Sequence, residues 1–426
     1  MLIKNDIKAI STFIFIGFIF SIAWHYYASI ILRLGYPYNT FLFMSSDRFM
    51  DFFNSYNFLK TFTYINQPLN CYFPLTFWVF YPFTLLSPHI SFILFNLIFV
   101  TYVYFLMFYF TKNMMAGLSF LEYHLRLIVL IFFSFPFLYA FDRGNIEILV
   151  FIFLSCSLFL ININKCKLSV LFLVLASGMK LYPAIFAILY LKKKKYLSFF
   201  LFVFLLILFL FMSSLSLHGG FYENLKALSG TTSDISKYSF MMGGIRQSAS
   251  IMSVIKAFYV AANPTLTYIQ FQSFLAHFSK IYFLLSILFL TLTLFFILKE
   301  KNLSFWKEVT LLSLLIILLP PVSFDYKFIH FFFPLALFLQ SKRAGGQNFN
   351  KLYLFYFAIL FIPKNYYLFS LGYIPDAIQG LDGNNLDFKV SISVFLDVFI
   401  MLSFFSTILI EQFFYKTKDY SGVKLL

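Results

Sequence analysis

Apolar segments close to the length of a membrane-spanning helix recur along the whole of this chain. A helix needs about 20 consecutive apolar residues to cross a bilayer. We predict spans at residues 10–32, 89–110, 121–141, 146–162, 196–217, 279–298, 307–323, 328–340, 352–370 and 390–415. The composition agrees, because 61% of the residues are hydrophobic and only 12% are charged. The predicted fold class is therefore an all-α polytopic integral membrane protein with about 10–12 membrane helices.

Short basic connectors set the predicted orientation, because Lys and Arg collect on the cytoplasmic side of a membrane. They include "NKCK" at 164–167, "KKKK" at 192–195 and "SKR" at 341–343. All fall inside if the N-terminus is inside. We therefore attribute the net charge of +15 to topology and not to nucleic-acid binding. We expect both termini in the cytoplasm and a location in the cell (inner or plasma) membrane.

The segments that face outward in this threading contain most of the unexpected polar residues. They are residues 33–72, 142–146, 218–278, 323–330 and 371–389. No internal repeat or low-complexity linker divides the chain, so we expect residues 1–426 to form a single integral membrane domain with outward-facing loops.

One apolar segment, residues 168–191, does not fit a single crossing. Lysines bracket it on both sides, so one crossing would place "KKKK" outside. Gly178 and Pro183 interrupt its middle, which predicts two half-length helices that enter and leave on the cytoplasmic side. Non-helical backbone at membrane depth needs shielding by protein, which would place Lys180 inside the bundle as a functional residue. The alternative is an ordinary span with Lys180 reaching towards the interface.

Two acids in the first outward segment are candidates for catalysis. Asp47 and Asp51 in "SSDRFMDFFNSY" are four residues apart and share a face if the segment is helical. A carboxylate at the mouth of a cavity serves as a general base. The alternative is a solvated loop in which Asp47 balances the charge of Arg48.

Two tight turns carry further charges. "AFDRGNIE" places Asp142, Arg143 and Glu147 at the outer end of two spans. The forked guanidinium of Arg143 suits a phosphate or a carboxylate, although an intrahelical ion pair with Asp142 or Glu147 is equally compatible with the spacing.

The second turn, "PPVSFDYKFIHFFFP", places Asp325, Lys327 and His330 between prolines. Lys327 suits an anion as a mobile point charge. His330 is either a functional residue or a satisfied histidine at the membrane interface.

Several established signatures are absent from the sequence. There is no GxxxxGK[ST] phosphate loop, no GxGxxG fingerprint, no HExxH and no triad signature. The cysteines Cys71, Cys156 and Cys166 lack the spacing of a zinc site. We therefore expect no nucleotide-binding fold, no cofactor and no resident metal.

The polar segments resemble the polyprenol-phosphate-dependent glycosyltransferases of the C-type (GT-C) fold, and most closely family 87, a mannosyltransferase-like group. The resemblance rests on "DFFNSY" in the first outward loop, "RGNIE" opening a span, "ASGMKLYP" and "SFDYKFIHFFFP". The chain departs from the family after the first loop, where a proline pair is common and only Pro74 occurs.

This resemblance implies a GT-C-like helical bundle and a membrane glycosyltransferase. The enzyme would move a hexose such as mannose, with inversion, from a polyprenyl-phosphate donor to a glycolipid, glycan or other acceptor on the outer face. Asp51 would be the general base, with Asp47 less well matched. Phosphate or substrate contacts would come from Arg143, Lys327, His330, Lys180 and Asp142.

Two other functions fit the sequence less well. A polymerase or ligase of lipid-linked glycans would favour a large outward loop rich in Arg and His, and residues 218–278 show no such cluster. A non-enzymatic lipid or ion transporter usually shows inverted repeats, which are not evident. The expected partners are the lipid-linked donor, the acceptor and membrane lipid.

Overall fold

The chain is almost entirely helical over the residues that a computed structural model describes, which are 2–34, 49–66, 72–112, 118–240, 248–263, 265–341, 347–364, 368–375 and 385–420. The α-helices are α1 Leu2–Tyr26, α2 Met50–Leu59, α3 Leu75–Thr84, α4 Pro88–Thr111, α5 Phe120–Phe132, α6 Phe135–Arg143, α7 Glu147–Asn162, α8 Cys166–Met179, α9 Ile188–Lys192, α10 Tyr196–Leu215, α11 Phe221–Phe240, α12 Ile251–Ala262, α13 Tyr268–Lys299, α14 Phe305–Leu318, α15 Phe332–Gln340, α16 Gln347–Phe361 and α17 Ile392–Tyr420. A π-helix, Tyr27–Ile31, continues α1, and 3-10 helices Tyr182–Ala187 and Asp325–Phe331 precede α9 and α15.

Five of the described helices are long and apolar enough to cross a membrane: α1, α4, α10, α13 and α17. The pair α5 and α6, which is bent by 55°, would make a sixth span. Large apolar side chains on these helices face outward, as Phe200 on α10 and Leu284 on α13 do, each 66% exposed. Such a surface is stable against lipid and not against water. The predicted class of helical, polytopic membrane protein is confirmed.

Helix α14 lies at the centre of the bundle. Every residue from Trp306 to Leu318 is buried, which is the pattern of a helix surrounded by protein on all sides. Its buried Lys307 is neutralised by Glu411 of α17, with 2.8 Å between the ammonium and the carboxylate. A buried charge needs such a partner, so this pair links α14 to α17.

Residues 168–191 form a helical hairpin with both ends at the same end of the bundle. The backbone is extended at Lys180, with φ −142° and ψ 132°, and the 3-10 helix and α9 then run back along α8. The hydroxyl of Ser169 near the start lies 2.8 Å from the hydroxyl of Tyr190 near the end. The connectors before and after the hairpin line one cavity. This geometry agrees with the predicted pair of helices and not with one continuous span.

Helix α3 packs against the tip of this hairpin. The backbone N–H of Phe73 donates to the carbonyl of Met179 at 3.2 Å, and the hydroxyl of Thr76 donates to the same carbonyl at 3.3 Å. A β-carbon at Gly178 would collide with Leu75, so a glycine is required for this close approach. The contact fixes the position of Lys180, one residue beyond Met179.

The chain between α16 and α17 contains a two-stranded antiparallel sheet, with β1 Leu368–Pro375 paired to β2 Asn385–Ser391. Helix α16 ends at Phe361, so the span predicted over residues 352–370 is shorter than expected. The sequence did not predict these strands, because the first three residues of β1 lie within an apolar run that also suits a helix.

Candidate active site

Asp51 lies in the first turn of α2, where this short helix meets the turn between α6 and α7. The neighbouring Phe52 is buried and packs against Phe92 of α4, with 5.2 Å between the ring centroids. This packing fixes the start of α2. The Asp51 carboxylate then forms an ion pair with Arg143 and accepts a hydrogen bond from Nδ2 of Asn145 at 2.7 Å.

The turn between α6 and α7 depends on Gly144. This residue ends α6 with φ +57°, a left-handed conformation that glycine adopts readily at helix ends. A β-carbon here would lie 2.9 Å from the β-carbon of Phe52. Asn145 follows, and its Oδ1 accepts a hydrogen bond from the backbone N–H of Glu147 at 2.9 Å. Arg143 and Glu147 therefore lie on separate helices and do not form an intrahelical pair.

Lys180, at the tip of the hairpin, reaches the same turn. Its Nζ lies 2.6 Å from Oε2 of Glu147 and donates to Oδ1 of Asn145 at 3.3 Å. The rings of Tyr72 and Tyr326 lie 5.6 Å and 5.3 Å from this ammonium group, within the range of a cation–π contact. Because Glu147 is fully buried, the ion pair with Lys180 neutralises an otherwise costly charge.

His330, in the 3-10 helix before α15, contacts the other oxygen of the same carboxylate. Its Nε2 lies 2.7 Å from Oε1 of Glu147 and 2.8 Å from the hydroxyl of Tyr182. Tyr182 also donates its hydroxyl proton to Oε1 of Glu147. One buried carboxylate thus holds together the start of α7, the hairpin and the 3-10 helix.

Lys327 lies one turn of this 3-10 helix before His330 and is buried. Its Nζ donates to the carbonyl of Ile316 at 3.4 Å and lies 4.9 Å from the ring centre of Tyr182. Lys327 is therefore next to the polar cluster, which consists of Asp51, Arg143, Asn145, Glu147, Lys180, Tyr182 and His330.

The predicted acids differ in where they lie. Asp142 and Asp325 are buried, at 4% and 1% exposure, so their carboxylates have little contact with solvent or lipid. Asp47 lies outside the described residues. Asp51 is thus the predicted catalytic acid that the structure places in the cluster.

Exposure separates two layers within the cluster. The side chains of Asp51, Arg143 and Lys180 retain 19%, 17% and 16% exposure, whereas those of Glu147 and His330 retain 0% and 2%. The first three therefore remain accessible from outside the protein. The buried layer positions Lys180 and holds the turn in place.

Sequence reasoning missed part of this arrangement. Asn145 and Tyr182 were not predicted as site residues, and Glu147 was considered only as a possible partner of Arg143. The available signal was Asn145, directly after Gly144, because an Asn at the start of a helix commonly accepts a backbone hydrogen bond. Nothing in the sequence indicated that Tyr182 contacts His330.

The cluster contains a carboxylate beside two cations, which suits proton abstraction together with stabilisation of a developing negative charge. Among the described residues, no group of three or more His, Cys, Asp or Glu side chains is arranged to hold a metal ion.

Comparison with known proteins assigns the chain to a family. The model of glycosyltransferase family 87 matches residues 70–321, which is more than half of the chain. The match contains the α6–α7 turn and the hairpin, while Asp51 precedes it and His330 follows it. No curated protein and no solved structure matches the chain. The chain belongs to glycosyltransferase family 87 and is a membrane glycosyltransferase.

Proposed function

We propose that this protein transfers a hexose such as mannose from a polyprenyl-phosphate donor to a glycolipid, glycan or other acceptor on the outer face of the cell membrane. The observation that carries the proposal is the contact of Asp51 with both Arg143 and Asn145, with Lys180 on the far side of the same asparagine. A general base and two cations therefore share the partly exposed layer of one site.

Asp51 acts as the general base. Its carboxylate takes the proton of the acceptor hydroxyl as that oxygen attacks the anomeric carbon of the sugar. The bond from this carbon to the phosphate oxygen breaks on the opposite face, and the polyprenyl phosphate leaves with the bonding electrons. One displacement inverts the configuration at the anomeric carbon.

Cations stabilise the leaving phosphate. Arg143 offers a forked pair of N–H donors, and Lys180 offers a point charge. Both retain exposure next to Asp51. Lys327 and His330 act on the phosphate region from the buried layer, Lys327 as a third cation beside Tyr182 and His330 through its contacts with Tyr182 and Glu147. Asp142, which is beside Arg143 in sequence and buried, supports this region from within the protein.

The lipid-linked donor agrees with two features of the chain. A polyprenyl phosphate is already an activated leaving group, so the enzyme needs no nucleotide-binding fold, and no nucleotide motif occurs in the sequence. A donor with a long apolar tail also stays in the bilayer, beside the exposed apolar helices.

The test is transfer by the purified full-length protein in lipid vesicles. Radiolabelled mannose on polyprenyl phosphate is supplied with extracted envelope glycolipids as acceptors, and a nucleotide-linked mannose is supplied in a parallel arm. The proposal expects labelled product from the lipid-linked donor and about 100-fold less, or lower still, with Asp51→Asn. Product from the nucleotide-linked donor alone would overturn it.

A further inference from the structure

A cavity lined by lysines lies at the other end of α7 from Glu147. Helix α7 has 16 residues, so the two ends are about 24 Å apart. The cavity has a volume of about 600 Å³, and it is lined by residues from two neighbouring connectors, 164–168 and 194–198. It is therefore separate from the candidate active site.

Four lysines line this cavity, and no acidic residue does: Lys165, Lys167, Lys194 and Lys195. All four are exposed, and within the described part of the chain no carboxylate forms an ion pair with any of them. Lys193 differs, because its ammonium donates to the carbonyl of Ile161 at 2.8 Å. The four ammonium groups leave an uncompensated positive charge around one cavity.

The backbone adds to this charge. Asn164 and Lys194 both have a left-handed φ, +60° and +57°, and each is followed by a lysine that starts a helix, Lys165 before α8 and Lys195 before α10. Neither lysine caps its helix with a side-chain hydrogen bond. Two helix N-termini, with their free N–H groups and positive dipole ends, therefore face the same cavity.

Ser198 adds a hydroxyl group to the wall of the cavity. Its side chain lines the cavity and is 96% buried, since only 4% remains exposed. Its hydroxyl forms no hydrogen bond within the part of the chain that the structure describes. Its oxygen is not among the buried polar atoms that lack a partner, so it stays accessible from the cavity and can donate a hydrogen bond to a ligand there.

We propose that this cavity binds the phosphate group of an anionic phospholipid. The chemistry shared by its walls, four ammonium groups, two helix N-termini and one hydroxyl, recognises phosphate. Apolar side chains beside the cavity favour a lipid over a soluble anion, since Leu168, Tyr196 and Leu197 are 51%, 56% and 67% exposed. Basic pockets between membrane helices bind anionic headgroups in this way.

The experiment measures lipid affinity of the purified full-length protein by native mass spectrometry. Phosphatidylglycerol is titrated against phosphatidylcholine, and inorganic phosphate is titrated in a separate arm at matched ionic strength. The double variant Lys165→Gln/Lys195→Gln is compared with Lys299→Gln/Lys301→Gln, which removes the same charge from two exposed lysines outside the cavity.

The wild type is expected to prefer phosphatidylglycerol. Each lysine near an anionic lipid contributes roughly a factor of five, so the cavity double variant should bind it about thirtyfold more weakly. The matched double variant should stay within about twofold of the wild type, because it retains all four cavity lysines. Ser198→Ala, which removes no charge, should weaken binding severalfold by loss of one hydrogen bond, and it provides a second route if the double variant does not fold.

Three results would overturn the proposal. The first is an absence of preference for phosphatidylglycerol over phosphatidylcholine. The second is an equal loss in the two double variants, which would indicate unspecific surface charge. The third is tight binding of inorganic phosphate without any effect of phosphatidylglycerol, which would assign the cavity to a soluble anion.

Discussion

The buried carboxylate of Glu147 lies 2.7 Å from Nε2 of His330, a residue 183 positions later in the chain. The same carboxylate contacts Lys180 through its second oxygen. Three segments that are distant in sequence therefore meet at one charge that is shielded from solvent. This arrangement positions the ammonium of Lys180 beside Asn145, and through that asparagine beside Asp51.

Asp51→Asn is expected to lower sugar transfer by about 100-fold to 10,000-fold, the usual contribution of a general base. Asn is nearly isosteric, so the protein should still fold. Asp47→Asn should have a smaller effect. The measurement is the initial rate of transfer from the lipid-linked donor, with the yield of folded protein as the control.

Two outcomes would reassign the base. Full activity of Asp51→Asn together with loss of activity in Asp47→Asn would exchange the roles of the two acids. Activity in both variants would move the base to another carboxylate, and Glu147, Asp142 or Asp325 would then be examined.

Lys180→Met is expected to lower the free energy of unfolding by roughly 3 kcal/mol, because it leaves the buried Glu147 carboxylate without its cation. Adding Glu147→Gln should restore most of this stability, since the charge is then removed. Transfer activity should remain low in the double variant if Lys180 contacts the phosphate. Recovery of both stability and activity would show that Lys180 has a structural role alone.

His330→Gln and Lys327→Gln are each expected to impair use of the donor more than use of the acceptor. Loss of one hydrogen bond to a charged group corresponds to roughly a tenfold to hundredfold weaker interaction. The readout is the KM for each substrate, together with the unfolding midpoint, because both side chains are buried. Unchanged donor KM in both variants would remove this turn from the site.

Gly144→Ala is expected to reduce both stability and activity. The left-handed backbone costs a non-glycine residue about 1–2 kcal/mol, and the new methyl group would press on Phe52, next to Asp51. Gly220→Ala is the matched control, because φ is +91° there and nothing lies within 4 Å of the new β-carbon. Equal losses of activity in the two variants would argue against a specific effect on Asp51.

The predicted orientation is tested with cysteine labelling in intact cells. The native cysteines are first replaced by alanine, and single cysteines are then introduced at Lys60 and Lys194, both exposed. An impermeant reagent should label position 60 from outside and leave position 194 unlabelled. The reverse pattern would invert the threading and place the candidate site on the cytoplasmic face.

The helical membrane class and the break in the hairpin were predictable because they depend on local sequence. Apolar runs reveal membrane helices directly, and Gly178, Pro183 and the flanking lysines marked the break around Lys180. Asp51 and Lys180 were predicted as site residues because a charge in an apolar chain is rarely accidental, and both contact Asn145 in the structure.

The pairing of these charges was not predictable, because it depends on contacts between distant segments. The spacing of Arg143 and Glu147 left an intrahelical ion pair open, but the left-handed Gly144 separates the two residues. Arg143 then turns to Asp51 and Glu147 to Lys180. Asn145 lies in the same turn, and Tyr182 reaches Glu147 from the hairpin. A single sequence does not reveal either contact.

The hairpin of α8 and α9 also affects how the rest of the chain is oriented. Because its two ends meet, it contributes an even number of passages, and α10 begins on the side of the membrane where α7 ended. The hairpin therefore does not change the side of the membrane on which the following helix begins. Every helix after it keeps the orientation it would have if α7 were joined directly to α10, so the chain can carry Lys180 to the start of α7 without reversing any later segment.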